Sequence, residues 1–170
     1  MGYGRNIKRF KERDRKMNGE VIVDLDKFNN EGIRIIHNNE NNLYYVELSS
    51  GEMMPLISPI DGTRLEPYRN TKYLISDNDL LYTLINDGEV IPLLSNTGDF
   101  LIPTPINDVF YGKNEKGSYF YKDSKGNIIR LLNPNNGVKL FINDNNEIVS
   151  HVDNNIYSIQ DGEIVITPKN

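Results

Sequence analysis

Short hydrophobic runs alternate with short polar turns along most of the chain. Between residues 72 and 106 the runs read KYLISD, LLYTLIN, EVIPLLS and FLIPTPI. The turns between runs are rich in Asn, Asp and Gly, which tolerate the left-handed backbone that tight turns require. Asp-Gly, a strong hairpin signal, occurs at Asp87-Gly88 and at Asp161-Gly162. The pattern predicts about 15 or 16 short β-strands, roughly one every ten residues, which is typical of an all-β fold.

One glycine-initiated motif recurs along the chain. GEMMPLISPIDG, GEVIPLLSNTG and GNIIRLLNPNNG begin at Gly51, Gly88 and Gly126, which are 37 and 38 residues apart. A regular period of this length indicates a structural unit that is used several times. Lys125-Gly126 and Asn136-Gly137 are predicted turns within the third copy.

An aromatic residue precedes each of these glycines. Tyr45, Tyr82 and Phe120 stand six positions before their glycine. A fourth copy, IYSIQDGEIVITP, places Ile156 six positions before Gly162. The recurring apolar position is predicted to lie in the core of each unit, with an exposed aromatic row as the alternative.

The repeats predict a single β domain over residues 19–170. Its units lie near residues 32–68, 72–106, 109–143 and 147–168, and the fourth is truncated. The predicted fold class is all-β, an antiparallel meander of repeated four-strand units of about 37 residues. Propeller-like blades and a curved sheet or sandwich with a partner over its open end are the two architectures considered.

Proline positions add a constraint on the strands. Because proline lacks a backbone N–H, it is placed on edge strands, at bulges or at strand ends. The prolines within or beside predicted strands are Pro55, Pro59, Pro92, Pro103, Pro105 and Pro134.

Two segments resemble known β-repeats. Residues 119–137, YFYKDSKGNIIRLLNPNNG, resemble a YD repeat of the RHS type through a tyrosine, Asp123, Gly126 and an apolar run. Lys122 and Asn127 depart from that pattern. VIPLLSNTG at 90–98 is similar to the ending of a small uncharacterised family of Gram-positive bacteria and their phages. Both resemblances imply a β scaffold or surface module, and neither assigns a catalytic residue.

Charge divides the chain into a basic arm, residues 1–18, and an acidic body. Residues 1–17 carry seven basic and two acidic side chains, a net +5, so the remainder carries −10 of the total −5. This division predicts an arm, or a short helix, that binds an acidic partner, with a solvated terminus as the alternative. The predicted partner-binding residues are Arg5, Lys8, Arg9, Phe10, Lys11, Arg13, Arg15 and Lys16.

Few residues in the sequence favour catalysis or metal binding. The chain has no cysteine and only two histidines, His37 and His151, whose spacing does not match a metal site. Ser150 and His151 are adjacent, so in a strand they would point to opposite faces. We therefore expect a protein that is not an enzyme, with no cofactor and no metal.

The N-terminus has no apolar run typical of a signal peptide, and the chain has no apolar stretch long enough to span a membrane. A cytoplasmic or virion-associated location is expected. The predicted function is that of a structural or adaptor protein, a subunit of a phage virion or another assembly whose partners are other protein subunits. A carbohydrate or cell-wall binding module and a nucleic-acid accessory protein acting through the basic arm are the alternatives.

Overall fold

The computed structural model describes residues 20–23, 34–69, 71–85 and 88–169 of the chain. These ranges contain 16 β-strands and no helix, and every pairing between strands is antiparallel. The predicted all-β antiparallel class is confirmed. The basic arm lies outside the described residues.

The strands form four separate sheets of four strands, each a meander in chain order. Sheet 1 consists of β1 (Glu20–Val23), β2 (Arg34–Asn38), β3 (Leu43–Glu47) and β4 (Met53–Pro55). Sheet 2 consists of β5 (Leu65–Pro67), β6 (Tyr73–Ser76), β7 (Leu81–Ile85) and β8 (Glu89–Pro92).

The second half of the chain repeats this arrangement. Sheet 3 consists of β9 (Leu101–Pro103), β10 (Val109–Gly112), β11 (Tyr119–Lys122) and β12 (Ile128–Arg130). Sheet 4 consists of β13 (Leu140–Ile142), β14 (Ile148–Ser150), β15 (Asn155–Gln160) and β16 (Glu163–Pro168).

The sheets are offset by one strand from the units predicted by the repeat. Sheet 2, for example, takes its first strand from the end of the predicted unit 32–68 and its other three from the unit 72–106. The turn between one sheet and the next resembles a hairpin in sequence, but pairing across it is limited to single bridges such as Ile57–Arg64 and Leu132–Lys139. A sheet boundary therefore falls inside each of the three full predicted units, whereas the truncated unit 147–168 lies entirely within sheet 4.

The chain divides into two compact units, Met1–Pro92 with sheets 1 and 2, and Leu93–Asn170 with sheets 3 and 4. In the second unit the two sheets pack around one apolar cluster. Its buried members are Val109, Tyr121, Leu131, Leu140, Ile148 and Tyr157. In the first unit the residues with the least exposed side chains include Ile35, Val46, Leu56, Leu65 and Leu74.

Neighbouring sheets within a unit approach closely at a glycine. In the hairpin between β15 and β16, a Cβ added to Gly162 would overlap the backbone of Ser124, lying 2.6 Å from its Cα. In sheet 2, a Cβ on Gly88 would overlap Leu48 and lie 3.5 Å from Val46 Cγ1. At Gly88 and Gly162 the absence of a side chain therefore allows one hairpin to pack against the preceding sheet, whereas a Cβ at Gly51 or Gly126 would lie in open space.

The predicted turn chemistry is confirmed where the structure describes it. Asp161 and Gly162 have φ of 53° and 78°, the positive values that a two-residue type I′ hairpin needs. Gly88 also has a positive φ, whereas Asp87 lies outside the described residues.

The predicted edge positions of the strand prolines are confirmed as well. Each proline within a described strand is the last residue of the first or fourth strand of its sheet, where no ladder donor is needed. These residues are Pro55, Pro67, Pro92, Pro103 and Pro168.

Candidate interaction site

The partner-binding residues predicted in the basic arm lie outside the described residues, so the structure does not place them. The candidate sites that it does place are the buried polar turns and one face of sheet 4.

Two buried hydrogen bonds join a turn to the third strand of the following sheet. Ser58 Oγ and the Tyr82 hydroxyl are 2.7 Å apart. The Asn133 side-chain amide donates to the Tyr157 hydroxyl over 2.9 Å, and that hydroxyl donates to Asp153 over 2.7 Å. Both pairs span 24 residues, so the same structural role recurs in sheets 2 and 4.

The equivalent turn in sheet 3 is satisfied differently. Phe120 occupies the third-strand position and has no hydroxyl, although it is as buried as Tyr82. Ser95 Oγ instead bonds Thr97 Oγ1 at 2.9 Å and accepts from the backbone N–H of Asp99 at 3.0 Å. Ser58 Oγ also accepts a backbone N–H of its own turn, from Ile60 over 3.1 Å, so the turn of Ser95 differs in bonding Thr97 Oγ1 where the turn of Ser58 bonds a tyrosine hydroxyl.

Asp99 is a buried acid that acts within the fold. Its carboxylate accepts the backbone N–H groups of Asn114 and Glu115, both over 3.0 Å. A Cβ added to Gly112 would overlap Asp99 Oδ2 and lie 2.9 Å from Phe120 Cε1. Gly112 ends the second strand of sheet 3, and the equivalent residues of sheets 2 and 4 are Ser76 and Ser150. In those two sheets the serine hydroxyl accepts a backbone N–H of the following turn, from Leu80 and from Val152.

The half-buried carboxylate of Glu115, close to Asp99, is also bound by neighbouring side chains. Hydrogen bonds from Thr97 and from Arg130 lower the pKa of Glu115. Arg130 also donates to Ser118 Oγ over 2.9 Å, and its guanidinium lies 5.3 Å from the centre of the Phe120 ring. These contacts tie the turn after β10 to strand β12.

Of the nine tyrosines that the structure describes, four are buried and five are half-buried. Tyr82, Tyr121 and Tyr157 are buried, while Tyr45 and Tyr119 are half-buried. Burial raises the pKa of Tyr121, and burial followed by the hydrogen bond to Asp153 raises that of Tyr157. The core position predicted for the repeat is confirmed at Tyr82 and Phe120.

The fourth copy is shifted by one position from its predicted alignment. Tyr157, with its side chain 2% exposed, occupies the core position, whereas Ile156 is half-buried. The reason is the shorter hairpin that follows, which has two residues between Gln160 and Glu163.

Both histidines have structural contacts. His37 Nε2 lies 3.0 Å from Asn42 Oδ1, and its ring packs on Tyr44. The His151 ring packs on Phe141 with centroids 4.1 Å apart. No group of three or more potential metal ligands occurs in the part of the chain that the structure describes.

An open groove of about 440 Å³ lies on sheet 4. Val149 and Ile156 form its apolar lining, and Asp153 and Lys169 supply opposite charges. Ser150, Asn154 and Asn155 complete the lining. The groove offers apolar contact together with polar groups of both charges.

Sequence reasoning missed the buried polar residues at the start of each connecting turn, Ser58, Ser95 and Asn133. Their spacings of 37 and 38 residues match those of the glycines, and this periodicity could have identified them.

No family model matches the chain, and searches of curated proteins and of solved structures found no match either. Among the described residues, no helix is long and apolar enough to cross a membrane.

Proposed function

We propose that this protein is a non-enzymatic structural or adaptor subunit of a larger assembly, such as a phage virion. Its β-repeat body serves as the scaffold, and its basic arm binds acidic surfaces of neighbouring subunits. The resemblance of residues 119–137 to YD repeats agrees with such a scaffold.

One observation carries this proposal: repeated polar groups in the body are engaged in holding the repeats together. Ser58 with Tyr82 and Asn133 with Tyr157 join turns to strands at the same interval in two sheets. The buried carboxylate of Asp99 binds two backbone N–H groups of a turn. Buried polar residues that are fully hydrogen-bonded rigidify and specify a fold.

The charge division of the sequence supports the role of the arm. A segment of net +5 beside a body of net −10 favours contact between the arm of one subunit and the body of another. Such contacts weaken as salt rises, because exposed charges are screened.

The test measures the mass of the full-length chain by light scattering at low and at high salt. A variant with seven glutamines tests the arm, and a chain lacking residues 1–17 serves as a second comparison. The substitutions are R5Q, K8Q, R9Q, K11Q, R13Q, R15Q and K16Q. We expect the full-length chain to form a salt-sensitive oligomer that is larger than the oligomer of the glutamine variant. Equal masses for both chains at every salt concentration would contradict the role of the arm.

A further inference from the structure

Sheet 4 has two faces, and its inward face packs on sheet 3. Ile148 and Tyr157 lie on that inward face, in the shared apolar cluster. The opposite face carries a transverse row in which Phe141 pairs with Val149 and Val149 pairs with Ile156. The row continues to Thr167, which pairs with Ile156. We call Phe141, Val149, Ile156, Ser158, Val165 and Thr167 the outward face of sheet 4.

The matching face of sheet 3 is an interface between sheets. There Ile102 pairs with Tyr111, and Tyr111 pairs with Tyr119, at the positions of Phe141, Val149 and Ile156. Tyr119 and Ile129 pack against the cluster that contains Ile148 and Tyr157 of sheet 4. The outward face of sheet 4 therefore corresponds, position by position, to a face that receives another sheet.

Four residues of the outward face are apolar, and two, Ser158 and Thr167, are polar. Phe141, Val149, Ile156 and Val165 are all half-buried. Contiguous apolar surface on a folded protein marks an interaction site.

The charges around the groove suit contact with an identical face. Asp153 and Lys169 both line it, so each copy offers one acid and one base. In a two-fold contact the same patch meets itself, and each charge can face its opposite.

The face-to-face arrangement is favoured over a head-to-tail one. A head-to-tail contact would use the face of sheet 1 that carries Ile36 and Tyr45, which pair across β2 and β3. Ile36 is only 6% exposed within the chain itself, so that face is already partly covered.

We infer that the outward face of sheet 4 is a dimer interface whose occupant is the same face of a second copy of this chain. This inference rests on the proposed function, since it names one contact by which the subunit assembles. Because the contact is largely apolar, it should persist at high salt.

The test compares two valine-to-lysine variants of the full chain. V149K places a charge in the middle of the apolar row, whereas V152K makes the same change at a turn residue that is 66% exposed. At high salt we expect the unmodified chain and V152K to have twice the 19.5 kDa of one chain. We expect V149K to raise the dissociation constant on the order of tenfold or more, as a change at an interface centre does. Circular dichroism confirms that both variants are folded.

Mixing V149K with V149E separates loss of the interface from loss of the fold. The opposite charges meet near the centre of a two-fold contact, so the mixture should regain dimer that neither variant forms alone. A monomeric unmodified chain, a dimer unaffected by V149K, or open-ended filaments in place of a dimer would overturn the inference.

The outcomes distinguish this inference from the proposed function. If the arm assembles subunits but the face does not, the seven-glutamine variant is a monomer and V149K changes nothing. If the face dimerises but the arm is inert, the seven glutamines change nothing and V149K alone lowers the mass.

Discussion

The hydroxyl of Tyr157 accepts a hydrogen bond from the side-chain amide of Asn133, 24 residues earlier, over 2.9 Å. Both residues are at least 95% buried. The bond fixes the turn that leads into sheet 4 against the third strand of that sheet. Ser58 and Tyr82 make the equivalent contact in sheet 2. A hydrogen bond from the connecting turn to the third strand therefore recurs in two of the four sheets.

Removing the Tyr157 hydroxyl should destabilise the protein. Tyr157→Phe leaves the buried amide of Asn133 without this acceptor, and an unsatisfied buried group costs about 1–3 kcal/mol. Urea unfolding should show a lower midpoint. Tyr45→Phe is the matched control, because its hydroxyl is bound by an exposed side chain, Asn41. Equal losses for the two variants would contradict the role given to Asn133.

Gly162 should be intolerant of a side chain because of its packing. Gly162→Ala introduces a Cβ that overlaps Ser124, whereas Gly137→Ala places a Cβ in open space. The two glycines have similar φ, 78° and 75°, so the backbone strain is matched.

We therefore expect Gly162→Ala to cost about 1–3 kcal/mol more than Gly137→Ala, the usual cost of overpacking. Thermal and urea unfolding provide the comparison. An equal cost would mean that the hairpin of sheet 4 does not pack closely on sheet 3.

Asp99 and Gly112 should be energetically coupled. Gly112→Ala alone should destabilise, because the new methyl group overlaps the Asp99 carboxylate. Asp99→Ala alone should cost about 1–3 kcal/mol through two unpaired N–H groups. In the double variant the overlap with the Asp99 carboxylate is gone and only the contact with Phe120 remains, so the loss should be less than the sum of the two. Additive losses in urea unfolding would show that the two residues do not share this space.

Glu115 should contribute to acid sensitivity. Its pKa is lowered in the folded chain by Thr97 and Arg130, so the folded state binds fewer protons than the unfolded state in acid. The stability it contributes is present above its ordinary pKa of 4.5 and is lost as the pH falls through the lowered value.

Glu115→Gln should therefore flatten the acid dependence of the free energy of unfolding. Glu52→Gln, at an exposed turn position, removes the same charge as a control. Identical pH profiles for Glu115→Gln and the unmodified chain, measured by urea unfolding, would exclude this contribution.

Local features of the fold could be predicted from the sequence because they depend on short-range chemistry. The apolar runs and Asn, Asp and Gly turns located the strands from β6 to β16, and Asp161-Gly162 forms the expected hairpin. The glycine spacing found the repeat. These signals report turns and periodicity directly.

The sheet boundaries and the buried turn residues could not be predicted in the same way. A connection such as 57–64 has turn residues between apolar runs, like a hairpin, yet it makes one bridge and passes to the next sheet. The place of Gly112 depends on Asp99, 13 residues earlier, and that contact exists only after the strands pair. These features depend on which strands pair with each other and on contacts between residues far apart in the sequence. A local pattern of apolar and turn residues does not indicate either.

Whether this chain assembles with other subunits can be read from the mass of the unmodified protein in solution. Sedimentation equilibrium over a range of concentrations at low and at high salt gives that mass. If the chain assembles as proposed, the mass is a defined multiple of 19.5 kDa, and a dimer remains when high salt removes the contacts of the arm. A mass of 19.5 kDa at every concentration and both salts would contradict the proposed assembly.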